Sequence, residues 1–120
     1  RSKGKECMQA LLAKYHDIDV LYSHNDSMTL GALEAIQAAG LTPGKDIVIV
    51  TVDGEQAAID LLKAGQINCV VECTPLFGDK VMELAKKLAA GESIPRDTYS
   101  EEKVFTEFDA NLMDLPKREY

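Results

Sequence analysis

Apolar positions along the chain follow two alternating patterns, one with helical spacing and one made of short continuous runs. Helical spacing predicts four α-helices, over 2–15, 25–39, 55–64 and 76–90. The second begins within the polar residues 25–27, which are N-cap candidates. The short apolar runs predict β-strands over 19–22, 47–52, 68–72 and 103–108. Because helices and strands alternate, the pattern predicts an α/β fold, a doubly wound parallel sheet with helices on both of its faces.

Polar side chains follow three of the predicted strands. Asn25 comes after the first strand, Asp53 after the second and Glu72 after the third. Because the carboxyl ends of parallel strands meet at one edge of a sheet, we expect these three side chains to face a common ligand. Amide and carboxylate groups donate to or accept from hydroxyls, so a polyhydroxylated small molecule is the ligand class they suit.

Each of these positions also has a purely structural interpretation. Asn25 or Asp26 can serve as the N-cap of the following helix, and Asp53 can cap the helix after it. Glu72 can be an exposed strand terminus. His24 is interpreted as a neutral residue that supports the site from behind, and Asp26 as a second supporting residue.

Composition limits the partners of the chain. It has 120 residues, enough for one domain of ordinary size, with 46% hydrophobic and 28% charged residues. Its net charge of −7 argues against binding nucleic acid, which requires clustered Lys and Arg. No apolar run approaches the ~20 residues that span a bilayer, and no export signal is visible. The chain starts at Arg1 without an initiator Met, so we expect a piece of a longer or processed protein.

The sequence contains few motifs of a metal site, a cofactor site or an enzyme active site. Cys7, Cys69 and Cys73 include no Cys-x-x-Cys pair, and the two histidines are not at metal-ligand spacing, so free thiols and no metal are expected. Cys7 lies on the apolar stripe of the first helix and is predicted to be in the core. No glycine-rich phosphate loop or Gly-x-Ser-x-Gly elbow is present, which favours a protein without a cofactor that is not an enzyme. A thiol–imidazole pair of Cys73 and His24 is the catalytic alternative.

Three segments carry a resemblance to a known family. They read Tyr-Ser-His-Asn-Asp-Ser-Met-Thr-Leu-Gly-Ala-Leu at 22–33, Pro-Gly-Lys-Asp-Ile-Val-Ile-Val-Thr-Val-Asp-Gly at 43–54 and Gly-Gln-Ile-Asn-Cys-Val-Val-Glu-Cys-Thr-Pro at 65–75. In order and spacing they resemble the C-terminal portion of periplasmic sugar-binding proteins of the ribose-binding type, the type I periplasmic binding proteins. Glu72 and the ending Lys-Arg-Glu-Tyr look closest to galactofuranose-binding members.

The resemblance implies a substrate-binding component of an ABC-type sugar importer, with two lobes that close on a monosaccharide. It implies that Asn25, Asp53 and Glu72 contact sugar hydroxyls, that Asp26 caps, and that an ABC permease in the membrane is the partner. The implied location is periplasmic or extracellular, as a membrane-anchored lipoprotein in a Gram-positive host.

The resemblance also divides the chain. Residues 1–74 would belong to the second lobe, 75–100 would carry a helix that crosses to the other lobe, and 101–120 would form the return strand and tail. A partial periplasmic-binding-protein-like fold is therefore expected. The crossing helix would expose Val81, Leu84 and Leu88, which predicts self-association or folding back onto its own lobe.

Two further protein classes share this general architecture. The effector-binding lobe of a sugar-responsive transcription repressor is the main alternative, but Gly54 after Asp53 favours the transport class. A phosphorylation-receiver domain would need an acidic pair after an N-terminal strand and a lysine after the last strand, and neither is present.

Overall fold

The computed structural model describes residues 1–120 and contains every predicted helix and strand, each ending within two residues of its expected limits. In chain order they are α1 (Ser2–Lys14), β1 (Val20–Tyr22), α2 (Asp26–Ala38), β2 (Val48–Asp53), α3 (Gln56–Lys63), β3 (Cys69–Glu72), α4 (Gly78–Ala89) and β4 (Val104–Thr106). A short 3₁₀ turn, Leu112–Asp114, follows the last strand. None of these helices is both long and apolar enough to cross a membrane.

The four strands form one sheet in the order β1-β2-β3-β4. The first three are parallel, as predicted, whereas β4 runs antiparallel to β3, with Val70 opposite Phe105. The direction of β4 follows from the path of the chain. Residues 73–102 leave the sheet after Glu72 and return beside it, where the Glu72 amide donates to the Lys103 carbonyl at 2.8 Å.

Helices cover one face of this sheet. Ile49, Val70 and Phe105 point toward α1, α2 and α3 and join the core, which also contains Met8 of α1 and Ile59 of α3. The opposite surface, here called the open face, is made of the alternate strand residues: Val20, Tyr22, Val48, Val50, Val52, Cys69, Val71, Val104 and Thr106. The α/β class is confirmed, but within these 120 residues the helices expected on the second face are not present.

Close packing of α1 on α2 depends on two glycines. A Cβ added at Gly31 would lie 2.0 Å from the Arg1 carbonyl oxygen, and one at Gly4 would lie 2.3 Å from the Met28 carbonyl oxygen. Only glycine lets the two backbones approach this closely. The same packing turns Met8 into the core and leaves Cys7 exposed, so the prediction that Cys7 lies in the core is wrong.

Helix α4 stands apart from the rest of the molecule. It has no buried residue, and its exposed apolar side chains include Val81 and Leu88. Its neighbouring chain is the loop before β4, where Lys80 Nζ donates to the Tyr99 carbonyl at 2.7 Å. The protruding helix makes the molecule elongated: the radius of gyration is 18.0 Å, against about 14 Å for a compact domain of this length.

Candidate functional site

Polar groups meet at the carboxyl edge of the three parallel strands. Asp53 ends β2 and Glu72 ends β3, and the two residues are direct partners in the sheet register. Asn25 follows β1 and begins α2 at the same edge. The structure therefore brings together the three strand ends that the sequence predicts.

Asn25 divides its amide between two roles. Its Oδ1 accepts a hydrogen bond from the Met28 backbone N–H at 2.8 Å, which makes Asn25 the N-cap of α2. Its Nδ2 makes no hydrogen bond within the chain and is not enclosed. The side chain is thus held in place by its oxygen while two N–H donors remain available at the edge.

Asp26 is fully buried and binds the loop after β2. Its Oδ1 accepts from the Thr51 hydroxyl at 2.7 Å, and its Oδ2 accepts from the backbone N–H groups of Gly54 and Glu55 at 2.8 and 2.7 Å. Asp26 therefore holds the two loop residues that precede α3, whereas the cap of α2 is Asn25. Burial raises the pKa of the Asp26 carboxyl, although these three hydrogen bonds act in the opposite direction.

Asp53 has a strained backbone and a free carboxylate. Its φ of +120° makes it the one non-glycine residue with positive φ, a conformation that costs an ordinary residue on the order of 1–3 kcal/mol. Its backbone oxygen accepts from the Cys73 N–H at 2.8 Å, whereas its side chain makes no hydrogen bond. Because Glu55 occupies the N-cap position of α3 and no side chain caps that helix, the structural interpretation of Asp53 as its cap is wrong.

The Glu72 side chain points into a network of hydrogen bonds and not into solvent. Its Oε1 accepts from Arg118 Nη2 and from the Tyr120 hydroxyl, the latter at 3.0 Å, and its Oε2 accepts from the Lys103 backbone N–H at 3.0 Å. Only 9% of the side chain is exposed, so the interpretation as an exposed strand terminus is wrong. One acceptor position remains on Oε2, since a carboxylate oxygen can accept two hydrogen bonds.

The partners of Glu72 come from the last five residues, 116–120, here called the C-terminal strap. Gln56, at the start of α3, makes two hydrogen bonds to the strap. Its side-chain Oε1 accepts from the Arg118 backbone N–H at 2.6 Å, and its backbone N–H donates to the Tyr120 backbone oxygen at 2.8 Å. The Arg118 guanidinium lies over the rings of Phe105 and Tyr120, at 5.4 and 4.9 Å from their centroids.

Arg118 and Tyr120 were not predicted from the sequence as site residues. Residues after 108 have no apolar periodicity, so nothing local indicates that they return to the strand ends. The available signal was the resemblance of the Lys-Arg-Glu-Tyr ending to galactofuranose-binding proteins.

His24 and Cys73 do not form a hydrogen-bonded pair at this edge. The exposed His24 ring lies edge-on to Tyr22, with 5.4 Å between ring centroids. No hydrogen bond joins His24 to Cys73, so the thiol–imidazole alternative lacks its required contact. No three His, Cys, Asp or Glu side chains are grouped closely enough to hold a metal ion.

Sequence comparison identifies the family of the chain. Residues 1–93 match the family described as periplasmic binding protein domain, and the chain therefore belongs to that family. It is 36% identical to the galactofuranose-binding protein YtfQ of Escherichia coli over 79% of this chain and 31% of that protein. It is 33% identical to the ribose import binding protein RbsB of Bacillus subtilis over 89% of this chain and 34% of that protein.

Solved structures give the same result. A Mycobacterium smegmatis protein in complex with β-D-fucofuranose aligns over 94% of this chain and 36% of its own, with 44% identity and a TM-score of 0.87. The periplasmic binding protein component of the arabinose ABC transporter of Shewanella sp. ANA-3, bound to α- and β-L-arabinofuranose, has 35% identity and a TM-score of 0.83 over 93% of this chain and 37% of its own. The resemblance inferred from the three motifs is confirmed, and the chain spans about a third of the length of these relatives.

Proposed function

We propose that this chain is part of a binding protein that delivers a monosaccharide in its furanose form to an ABC importer. The observation that carries the proposal is the free Asp53 carboxylate, held at one polar edge between Asn25 and Glu72. A sugar hydroxyl donates one hydrogen bond and accepts others, so it needs acceptors and donors side by side. Asp53 supplies the acceptor and Asn25 Nδ2 the donor.

The furanose assignment draws on the ligands named for three relatives. These ligands are β-D-fucofuranose, L-arabinofuranose and galactofuranose. All are five-membered rings with adjacent hydroxyls, and they differ chiefly in the exocyclic carbons. A site with fixed polar groups at strand ends suits such a ring, because a small rigid sugar can satisfy several of these groups at once.

The site residues have distinct roles in this proposal. Asp53 and Asn25 contact the sugar directly, and Glu72 reaches it with the remaining acceptor position of its carboxylate. Asp26 and His24 stay behind the contact residues. No catalytic group, metal or cofactor takes part, because binding and release change no covalent bond.

The proposed parent is a longer protein with two lobes. Residues 1–74 would belong to one lobe, 75–100 would cross to the other, and 101–120 would return. The separation of α4 from the core and the return of the chain at Lys103 support this division. An ABC permease in the membrane would be the partner, and a periplasmic or extracellular site would be the location.

Calorimetry on the longer protein tests the proposal. We expect saturable binding of at least one of L-arabinose, D-galactose, D-fucose and D-ribose. Replacing Asp53→Ala should weaken that binding by about 10- to 150-fold, the loss of a charged hydrogen bond worth about 1.5–3 kcal/mol. The matched control is Asp17→Ala, which removes an exposed carboxylate before β1, at the opposite end of the strands. Unchanged affinity in the Asp53→Ala protein would refute the assignment.

A further inference from the structure

The C-terminal strap places a cation on Glu72 and beside the turn that follows Asp53. Arg118 Nη2 donates to Glu72 Oε1, and the same guanidinium approaches the turn after Asp53: a Cβ built on Gly54 would lie 3.7 Å from Nη2. Asp53 and Glu72 are register partners, so Arg118 brings a positive charge to the pair of strand ends that carries both acidic residues.

Aromatic rings and hydrogen bonds hold the guanidinium in place. The guanidinium lies over the rings of Phe105 and Tyr120. The Tyr120 hydroxyl accepts a hydrogen bond from Arg118 Nη2 and donates one to Glu72. Arg118 Nε is enclosed without a hydrogen-bond partner, which shows that the side chain is packed into the protein and does not extend into water. Such an arrangement can hold a carboxylate in one orientation.

We propose that Arg118 is a positioning residue of the sugar site, which holds Glu72 Oε2 where it accepts a hydrogen bond from one sugar hydroxyl. This inference rests on the proposed function. Arg118, Tyr120 and the Lys103 backbone donate three hydrogen bonds to the Glu72 carboxylate and leave one acceptor position, on Oε2. The carboxylate can therefore accept a hydrogen bond from only one sugar hydroxyl. The strap is then an element of sugar selectivity.

The test measures selectivity as well as affinity. The longer protein is titrated with L-arabinose and its 2-, 3- and 5-deoxy analogues. Wild type should bind L-arabinose more tightly than the analogue that lacks the hydroxyl contacted by Glu72. In the Arg118→Ala protein the affinity for L-arabinose should fall about tenfold or more, while the affinity for that one analogue changes less than twofold. A general structural defect would lower the affinity for all four sugars alike.

Matched variants complete the experiment. Lys117→Ala removes the neighbouring exposed cation of the strap and should leave all affinities within twofold. Arg118→Lys keeps the positive charge but lacks the planar guanidinium, so it should lose less affinity for L-arabinose than Arg118→Ala. It replaces Arg118→Ala in the test if that variant does not fold. Tyr120→Phe should weaken L-arabinose binding in the same selective way. Adding Arg118→Ala to Glu72→Ala should cause no further loss, because Arg118 acts through Glu72.

The outcomes separate the two proposals. Failure of the wild-type protein to bind any of the sugars used in calorimetry would refute the proposed function and this inference with it. If wild type binds D-galactose, D-fucose or D-ribose but not L-arabinose, the same comparison is made with that sugar and its monodeoxy analogues. Binding by wild type with equal losses for all four L-arabinose sugars, or with unchanged affinity in a folded Arg118→Ala protein, would refute the role of Arg118 alone. An additive loss in the double variant would do the same.

Discussion

The carboxylate of Asp26 accepts the hydroxyl hydrogen of Thr51 at 2.7 Å, and this buried contact joins the start of α2 to the end of β2. The Thr51 hydroxyl in turn lies 2.7 Å from that of Thr29, so three polar side chains are satisfied inside the core. The network holds the loop that carries Asp53, and it places an ionisable group where water cannot reach it.

Asp26 should therefore make the stability of the fold depend on pH. Burial raises its pKa in the folded chain above the value of about 4 in the unfolded chain, so the protonated form is favoured by folding. Its contribution is fully present below about pH 4 and is lost as the pH rises through the folded-state pKa. The measurement is urea unfolding of wild type and Asp26→Asn from pH 3.5 to 7. The free energy of unfolding of wild type minus that of the variant should decrease with rising pH, and a constant or increasing difference would contradict the prediction.

Two substitutions at Asn25 should separate its cap from its ligand contact. Asn25→Ala removes the acceptor for the Met28 N–H and should lower the free energy of unfolding by about 1 kcal/mol. Asn25→Asp keeps that acceptor but loses the Nδ2 donor, so the protein should stay within about 0.5 kcal/mol of wild type while sugar affinity falls. Thermal unfolding and calorimetry measure the two effects, with Ser27→Ala in the same turn as the control. Full affinity in the Asp variant would show that Nδ2 contacts no sugar.

Because the Asp53 backbone is strained, two substitutions at this position should differ in stability although both weaken sugar binding. Glycine adopts positive φ without steric cost, whereas alanine does not. Asp53→Gly should therefore be about 1 kcal/mol more stable than Asp53→Ala in urea unfolding, while both lose sugar affinity. Equal stabilities would mean that the positive φ relaxes in the variants.

Helix α4 should mediate self-association of the 120-residue chain. Its exposed Val81 and Leu88, together with the half-covered Leu84, lie on one side of the helix, and contact with a second copy would remove them from water. Size-exclusion chromatography with light scattering should give a mass above that of a monomer. The Val81→Glu/Leu88→Glu double variant should elute as a monomer, and Val48→Thr/Val104→Thr on the open face should not. A monomeric wild type would contradict the prediction, and a monomer only in the second variant would move the contact to the open face.

The strands and the polar edge were predictable because both follow from local signals. A run of β-branched residues such as 47–52 favours a strand wherever it lies, and parallel strands bring their carboxyl ends together. Asn25, Asp53 and Glu72 were found in this way, and their side-by-side placement follows from the same rule. Their contact with a sugar stays a prediction.

The remaining features depend on contacts between distant parts of the chain. Arg118 is 46 residues from Glu72, and Asp26 binds backbone groups of the loop 28 and 29 residues later, so no spacing rule indicates either contact. The direction of β4 depends on where residues 73–102 turn back. Coverage of only one face was equally hidden, because the continuous apolar run of β2 is typical of a strand buried on both sides.

The open face has a thermodynamic consequence. The accessible surface of the chain is 7904 Å², against about 6,400 Å² for a compact monomer of its mass of 13.1 kDa. About 1,500 Å² of surface, roughly a tenth of what unfolding exposes in a compact chain of this mass, is thus in water already. The heat capacity change of unfolding should fall below the roughly 1.4–1.8 kcal/mol/K usual for 120 residues. The chain should consequently have a flatter temperature dependence of stability than compact domains of equal length.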